Sequence, residues 1–267
     1  AEVRKLIEWI QEGEEDLELS QTTAREVMES ITAEENDEVL TMPKMGGKVK
    51  GTAPKNINAY SDGSLKHTKG HFWQVGGAGV WWPGRKEESL SPEERRYAQH
   101  KMHKEKEDIF DHGAKAGREG VMLWNAFNTR LNSSTRCELG AAILALLSPL
   151  TLNIGVDNAT VVKRGNEIID HLRKQEAVER RDAKGRKKLG GTISVLHRPT
   201  PYKQGWPQMR DGDLWEVFAD LVRERGPHTV SITEVKGHAT KEMVDEGKVQ
   251  EEDKQGNDAA DNAADFG

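Results

Sequence analysis

A chain of 267 residues that is 35% hydrophobic and 31% charged is too polar to pack well throughout, so one ordinary core carrying long solvated segments is expected. No run approaches the ~18 apolar residues of a membrane span and the first residues do not read as a charged-then-apolar leader, which predicts a soluble, intracellular protein and leaves nucleus or cytoplasm open. The single cysteine, Cys137, excludes an internal disulfide framework and a cysteine-based zinc site, while a net charge of −6 argues against a uniformly basic nucleic-acid binder but not against one basic face.

Residues 1–40 are acidic, with runs such as Glu14-Glu15-Asp16, and Leu6, Ile7 and Ile10 sit at helical spacing. Residues 41–56 are rich in Gly, Lys and Pro, so 1–56 read as an acidic linker or the tail of a preceding domain. The Ala1 start and a C-terminus inside a helical pattern read as the ends of a fragment. Order is expected from Ile57, where Ile57 and Ala59 alternate with polar neighbours in a strand ending at Ser61-Asp62-Gly63-Ser64. A second strand around 73–82 stops at Pro83-Gly84. Residues 85–120 are charged and break the rhythm; they read as an insertion. A third strand is expected at about 121–128.

Ser133, Ser134 and Thr135 then offer helix N-caps, with Glu138 in the first turn or just after it. Leu139, Ile143, Leu146, Leu147 and Leu150 form one apolar stripe. A fourth strand runs into Asp157, and Val161, Val162, Ile168, Ile169 and Leu172 carry a helix behind it. Residues 173–203 are basic and irregular, a second insertion spanning about 173–205. Another helix follows over 214–222, then a fifth strand near 230–235 leading into Lys236-Gly237-His238. A polar loop is expected at 241–256, with Gly256-Asn257-Asp258 capping a last helix that bears Asp261. This order predicts an α/β fold: a five-stranded mixed sheet, its first three strands antiparallel, flanked by helices.

Four acids sit where elements end or begin: Asp62, Glu138, Asp157 and Asp261. Alternation puts Asp157 on the strand face shared with Gly155 and Asn153, where small residues leave room for a ligand. Four carboxylates meeting at one point repel one another unless a cation is present. Hard oxygen donors favour Mg²⁺ or Mn²⁺ over zinc. Taken singly, each acid reads more readily as a turn, cap or solvated residue; the set carries the argument.

As a set, these residues resemble the ribonuclease H family. The match lies in Tyr60-Ser61-Asp62-Gly63-Ser64, Thr135-Arg136-Cys137-Glu138-Leu139, Val156-Asp157-Asn158, Asp213-Leu214-Trp215, Val235-Lys236-Gly237-His238-Ala239 and Gly256-Asn257-Asp258-Ala259-Ala260-Asp261, in order across 57–267. The resemblance implies a ribonuclease H-like fold and two-metal-ion hydrolysis of the RNA strand of RNA–DNA hybrids. It implies Asp62, Glu138, Asp157 and Asp261 as ligands of two Mg²⁺ ions, with Mn²⁺ as the alternative. His238 matches a mobile histidine that aids proton transfer or product release. Helical spacing alone leaves Asp258, Asp261 and Asp265 on one face; the resemblance selects Asp261, four positions after Asn257.

The resemblance further implies that Gly63, Ser64, Ser133, Ser134, Thr135 and Asn158 contact the substrate, whose 2′-hydroxyls in the minor groove distinguish RNA from DNA. The basic stretch 173–203 is either a protrusion gripping the hybrid or a solvated loop. Trp206 either stacks on nucleic acid or packs into the body. The parent is expected to be a retroelement polyprotein that also carries a reverse transcriptase domain, with a free-standing cellular ribonuclease H as the other reading. A catalytically silent hybrid-binding or tethering domain is the alternative.

Overall fold

Among the described residues, backbone pairing builds a sheet of six strands: β1 (Ala59–Lys66), β2 (Val75–Pro83), β3 (Gln99–His103), β4 (Gly120–Phe127), β5 (Leu152–Val156) and β6 (Val230–Glu234). The structure is a computed structural model, and it describes residues 45, 47–66, 75–103, 119–127, 133–183 and 200–267. The expectations for residues 1–44, and for the part of the basic stretch at 184–199, lie outside the described residues. The sheet order is β3-β4-β2-β1-β5-β6. β1, β2, β4 and β3 pair antiparallel in turn, whereas β5 lies parallel to both β1 and β6. The result is an open, mixed α/β sheet flanked by helices.

The expected count of five strands is corrected to six. The added edge strand, β3, lies in the segment read as an insertion. Its sequence, Gln99-His100-Lys101-Met102-His103, has no apolar alternation, so periodicity gives no sign of it. Main-chain pairing to β4 holds it instead, with His100 Nε2 3.0 Å from Glu87 Oε1. Ser91 caps the short helix α1 (Pro92–Tyr97), and Glu94 returns a bond to the Ser91 backbone in a capping box. Glu94 is fully buried and binds Arg85 through both carboxylate oxygens, at 2.6 and 2.7 Å. The Arg85 guanidinium in turn lies 4.6 Å over the Trp82 ring on β2.

Alternation along β2 divides the core between the two faces. Val80 and Trp82 point into the larger cluster, with Leu139 and Ile143 of α2 (Ser134–Leu146), Ile168 and Ile169 of α3 (Ala159–Ala183), and Trp215 and Phe218 of α4 (Gly212–Arg225). Trp81 points the other way, onto Tyr60, Met122, Ala259, Ala260 and Ala263. These alanines belong to α6 (Glu251–Phe266), which follows the short α5 (Lys241–Asp245). Helix α6 lies almost on the sheet: a Cβ at Gly79 would fall 2.2 Å from the Ala264 nitrogen. Cys137 is buried, as a small apolar residue would be, and Trp206 packs into the larger cluster, which removes the stacking role.

Several boundaries differ from expectation for identifiable reasons. β1 does not stop at Ser61–Ser64, because pairing with β2 continues to Lys66 opposite Val75. Helix α2 ends before Leu150, which is 39% exposed and off the apolar stripe. Helix α3 runs through Ala183, so 173–183 are helical, not irregular. Arg173 stays there by donating to the Pro227 and Val230 carbonyls. Helix α6 begins at Glu251, inside the expected polar loop. Its Gly256 is no cap but an interior residue pressed on the Tyr60 ring, where a Cβ would lie 2.3 Å from Cε2. Three acids in its first turn, Glu251, Glu252 and Asp253, complement the helix dipole. Among the described residues no helix is long and apolar enough to cross a membrane.

Candidate metal centre

Strand register assembles the first two acids. In the parallel pair β1–β5, Ser61 lies opposite Val156, so one step further along each chain sets Asp62 beside Asp157. Asp62 is thus a mid-strand residue, with Gly63 and Ser64 continuing the strand instead of turning. Gly63 admits the third acid. A Cβ there would fall 2.2 Å from the Glu138 nitrogen, so only glycine lets the first turns of α2 approach β1 this closely. Ser133 starts that helix by accepting a bond from the Arg136 amide at 3.1 Å.

Ligand oxygens of Asp62, Glu138 and Asp157 all lie within 4.8 Å of one another. Asp62 and Glu138 are each only 5% exposed. The Gly63 amide donates to Asp62 Oδ1 at 2.8 Å, while Glu138 Oε2 is buried with no hydrogen-bond partner. Burial, opposed by hydrogen bonds from Glu138 and Gly63 and reinforced by the charges of Asp157 and Asp261, pushes the Asp62 carboxyl up to about 7. Burial and the adjoining Asp62 and Asp157 hold Glu138 well above the usual carboxylate range. Such a cluster is poorly solvated. An orphaned buried carboxylate oxygen beside two further carboxylates fits a hard divalent cation.

Asp261, on α6, stands beside this group of three. Burial raises its pKa, and its carboxyl is within hydrogen-bonding reach of Asp62 and feels the charges of Asp157 and His238. Its neighbours on the helix face are committed elsewhere. Asp258 pairs with Lys254; Asp265 accepts from Ser64 Oγ at 2.6 Å and lies 3.4 Å from Lys66 Nζ. His238 is exposed, in a left-handed backbone conformation with φ 49°.

The expected substrate-contacting residues lie around this cluster with distinct local duties. Ser134 is exposed, and Ser133 and Thr135 are half-buried at the start of α2. Asn158 caps α3, its Oδ1 accepting from the Thr160 and Val161 amides at 3.1 and 3.2 Å. Ser64 is tied to Asp265. Comparison of the chain with family models, with curated proteins and with solved structures finds no match.

Two supporting residues were not singled out from sequence. Gly237 lies against Asp157, where a Cβ would fall 2.1 Å from Oδ2; any larger residue would displace that carboxylate. Tyr60 donates its hydroxyl to Asp253 Oδ1 at 2.9 Å, pinning the start of the helix that carries Asp261. A glycine directly before a histidine in a post-strand loop is a usable sign of the first. Nothing in the sequence pairs Tyr60 with Asp253, which is 193 positions away.

The raised carboxyls give the metal-free protein a definite pH dependence. Asp62 has an ordinary value of 3.8 and a folded value of about 7, so the native state binds more protons than the unfolded chain between these limits. Stability therefore falls as pH rises from about 4 to about 7, by on the order of 1 kcal/mol per unit at most. A cation that binds the ionised cluster reverses the loss. Thermal unfolding in EDTA should show a higher Tm at pH 5 than at pH 8, and Mg²⁺ should raise Tm mainly at pH 8. Asp62→Asn should flatten the EDTA slope. An identical slope in that variant would contradict the assignment.

Proposed function

We propose that this chain is a ribonuclease H, hydrolysing the RNA strand of RNA–DNA hybrids with divalent metal ions. The observation that carries the proposal is the convergence of Asp62, Glu138 and Asp157 within 4.8 Å, with an unpartnered buried oxygen on Glu138 and Asp261 alongside. The antiparallel β1, β2 and β4 followed by the parallel β5 and β6 agree with the sheet that the motif resemblance implies.

Asp62, Glu138 and Asp157 would hold the ions, with Asp261 completing the set from the α6 side. Bound Mg²⁺ or Mn²⁺ supplies Lewis-acid stabilisation and lowers the pKa of water for in-line phosphoryl displacement. Burial of Asp62 and Glu138 keeps bulk water from screening the cluster. His238, exposed near Asp261, would take or give a proton at the edge of the site. Ser134 and Thr135 at the rim provide hydroxyls for the 2′-OH groups of an RNA strand, contacts that read groove shape and not base sequence.

Strand-labelled digestion tests this directly. With Mg²⁺, the RNA strand of a hybrid should be cut while duplex DNA and duplex RNA are spared. Hybrid binding without cutting would mark a silent tethering domain instead. Cleavage of DNA would mark a different phosphodiesterase.

A further inference from the structure

Arg136 stands where helix electrostatics do not favour it. The first turn of a helix carries the positive end of the dipole, yet Arg136 is the third residue of α2, two before Glu138. Its side chain is only 13% exposed. It meets Asp213 with two bonds, Nη1 to Oδ1 at 2.9 Å and Nη2 to Oδ2 at 2.5 Å. A third bond reaches Asp211 Oδ1 at 3.3 Å. Both acids lie at the start of α4.

Asp211 is specialised for this contact. It is the N-cap residue of α4, a position where aspartate ordinarily bonds its own helix, but its side chain makes no capping bond. It also adopts a left-handed backbone, φ 57°, which costs energy in a non-glycine residue. The next residue is locked to the core: a Cβ at Gly212 would fall 1.8 Å from the carbonyl oxygen of the buried Trp206. A rigid, core-anchored turn thus aims a carboxylate across at the first turn of α2.

We propose that Arg136 is a positioning residue. Clamped by Asp211 and Asp213, it fixes the first turn of α2 to α4 and so holds Glu138 in register with Asp62 and Asp157. Planar, bidentate pairing supplies orientation as well as attraction. The inference rests on the metal-centre reading above and deepens it.

The sign of a metal-affinity change separates positioning from simple charge. Removing a cation near an acidic cluster should, by Coulomb's law alone, tighten binding of a divalent ion. Loss of positioning should weaken it. Calorimetric titration of the full chain with Mn²⁺ is the test, read beside far-UV circular dichroism and hybrid cleavage. Arg136→Met is expected to weaken Mn²⁺ binding by about tenfold, within the range for residues that orient metal ligands. Arg136→Lys should recover part of the loss, since an ammonium reaches one carboxylate oxygen but not both. Equal or tighter binding in Arg136→Met would overturn the proposal. Should that variant fail to fold, Arg136→Lys decides, because it keeps the positive charge and loses only the planar pairing to both Asp213 oxygens. A weakened Mn²⁺ affinity there supports the clamp, and an unchanged one overturns it. Wild-type protein that takes up no Mn²⁺ would sink the clamp and the metal centre together. Uptake without hybrid cleavage would sink the ribonuclease reading alone, and the variants' affinities would still decide the clamp.

Discussion

Asp62→Asn is expected to lower Mg²⁺-dependent hybrid cleavage by at least about a thousandfold, well beyond the ~10–100-fold typical of residues that only orient a ligand. The reason is geometric as much as electrostatic. Asp62 lies at the middle of β1, between Asp157 on the neighbouring strand and Glu138 on α2, so the other two acids are arranged around it. Asparagine keeps the shape and the Gly63 amide contact to Oδ1 but removes the charge that draws a cation. The fold should not suffer. A buried carboxyl whose pKa is pushed up to about 7 destabilises the metal-free protein at neutral pH, so its neutral isostere should unfold at a higher temperature in EDTA. Activity and stability thus move in opposite directions. A variant that lost both would point to a structural role for Asp62, and one that kept near-normal cleavage would remove it from the metal centre.

Glu94→Ala should have the largest effect on stability, a loss of about 3–5 kcal/mol measured by denaturant or thermal unfolding. The substitution leaves Arg85 buried at 6% exposure without its carboxylate and removes the N3 half of the α1 capping box. Isolated surface ion pairs rarely matter at this scale, but both partners here are out of water, and an unpaired buried charge is the costly case. The effect should be local in consequence. The anchor ties α1 to the turn after β2 and bonds none of Asp62, Glu138 or Asp157, so cleavage by the folded fraction should be retained. A loss under 1 kcal/mol would mean that Arg85 finds another partner or reaches solvent.

The contrast between these two positions shows what was legible in the sequence. Asp62, Glu138 and Asp157 stand out where strands and a helix with clear apolar periodicity end or begin, and the motif resemblance joins them to Asp261 as a set. β5, for instance, is announced by Leu152, Ile154 and Val156 running into Asp157. The edge strand β3 could not be chosen, because an edge needs only backbone pairing and tolerates polar side chains on both faces. The true start of α6 was hidden for a related reason. Residues 251–256 carry no apolar stripe and include a glycine, and the chain is helical there because Gly256 fits the Tyr60 ring and Tyr60 binds Asp253.

Local pattern therefore determined the central strands, the cap at Ser133 and the main helices, because periodicity and capping are properties of neighbouring residues, while the choice of the four acids came from the motif resemblance. Tertiary structure alone decided the sixth strand, the extent of β1, α3 and α6, and the side chains that hold the acids in place. Those depend on contacts such as Gly63 with Glu138, Gly237 with Asp157 and Arg136 with Asp213, in which residues 75 to 80 positions apart share a few ångströms of space. Such steric and charge complementarity leaves no periodic trace along the chain.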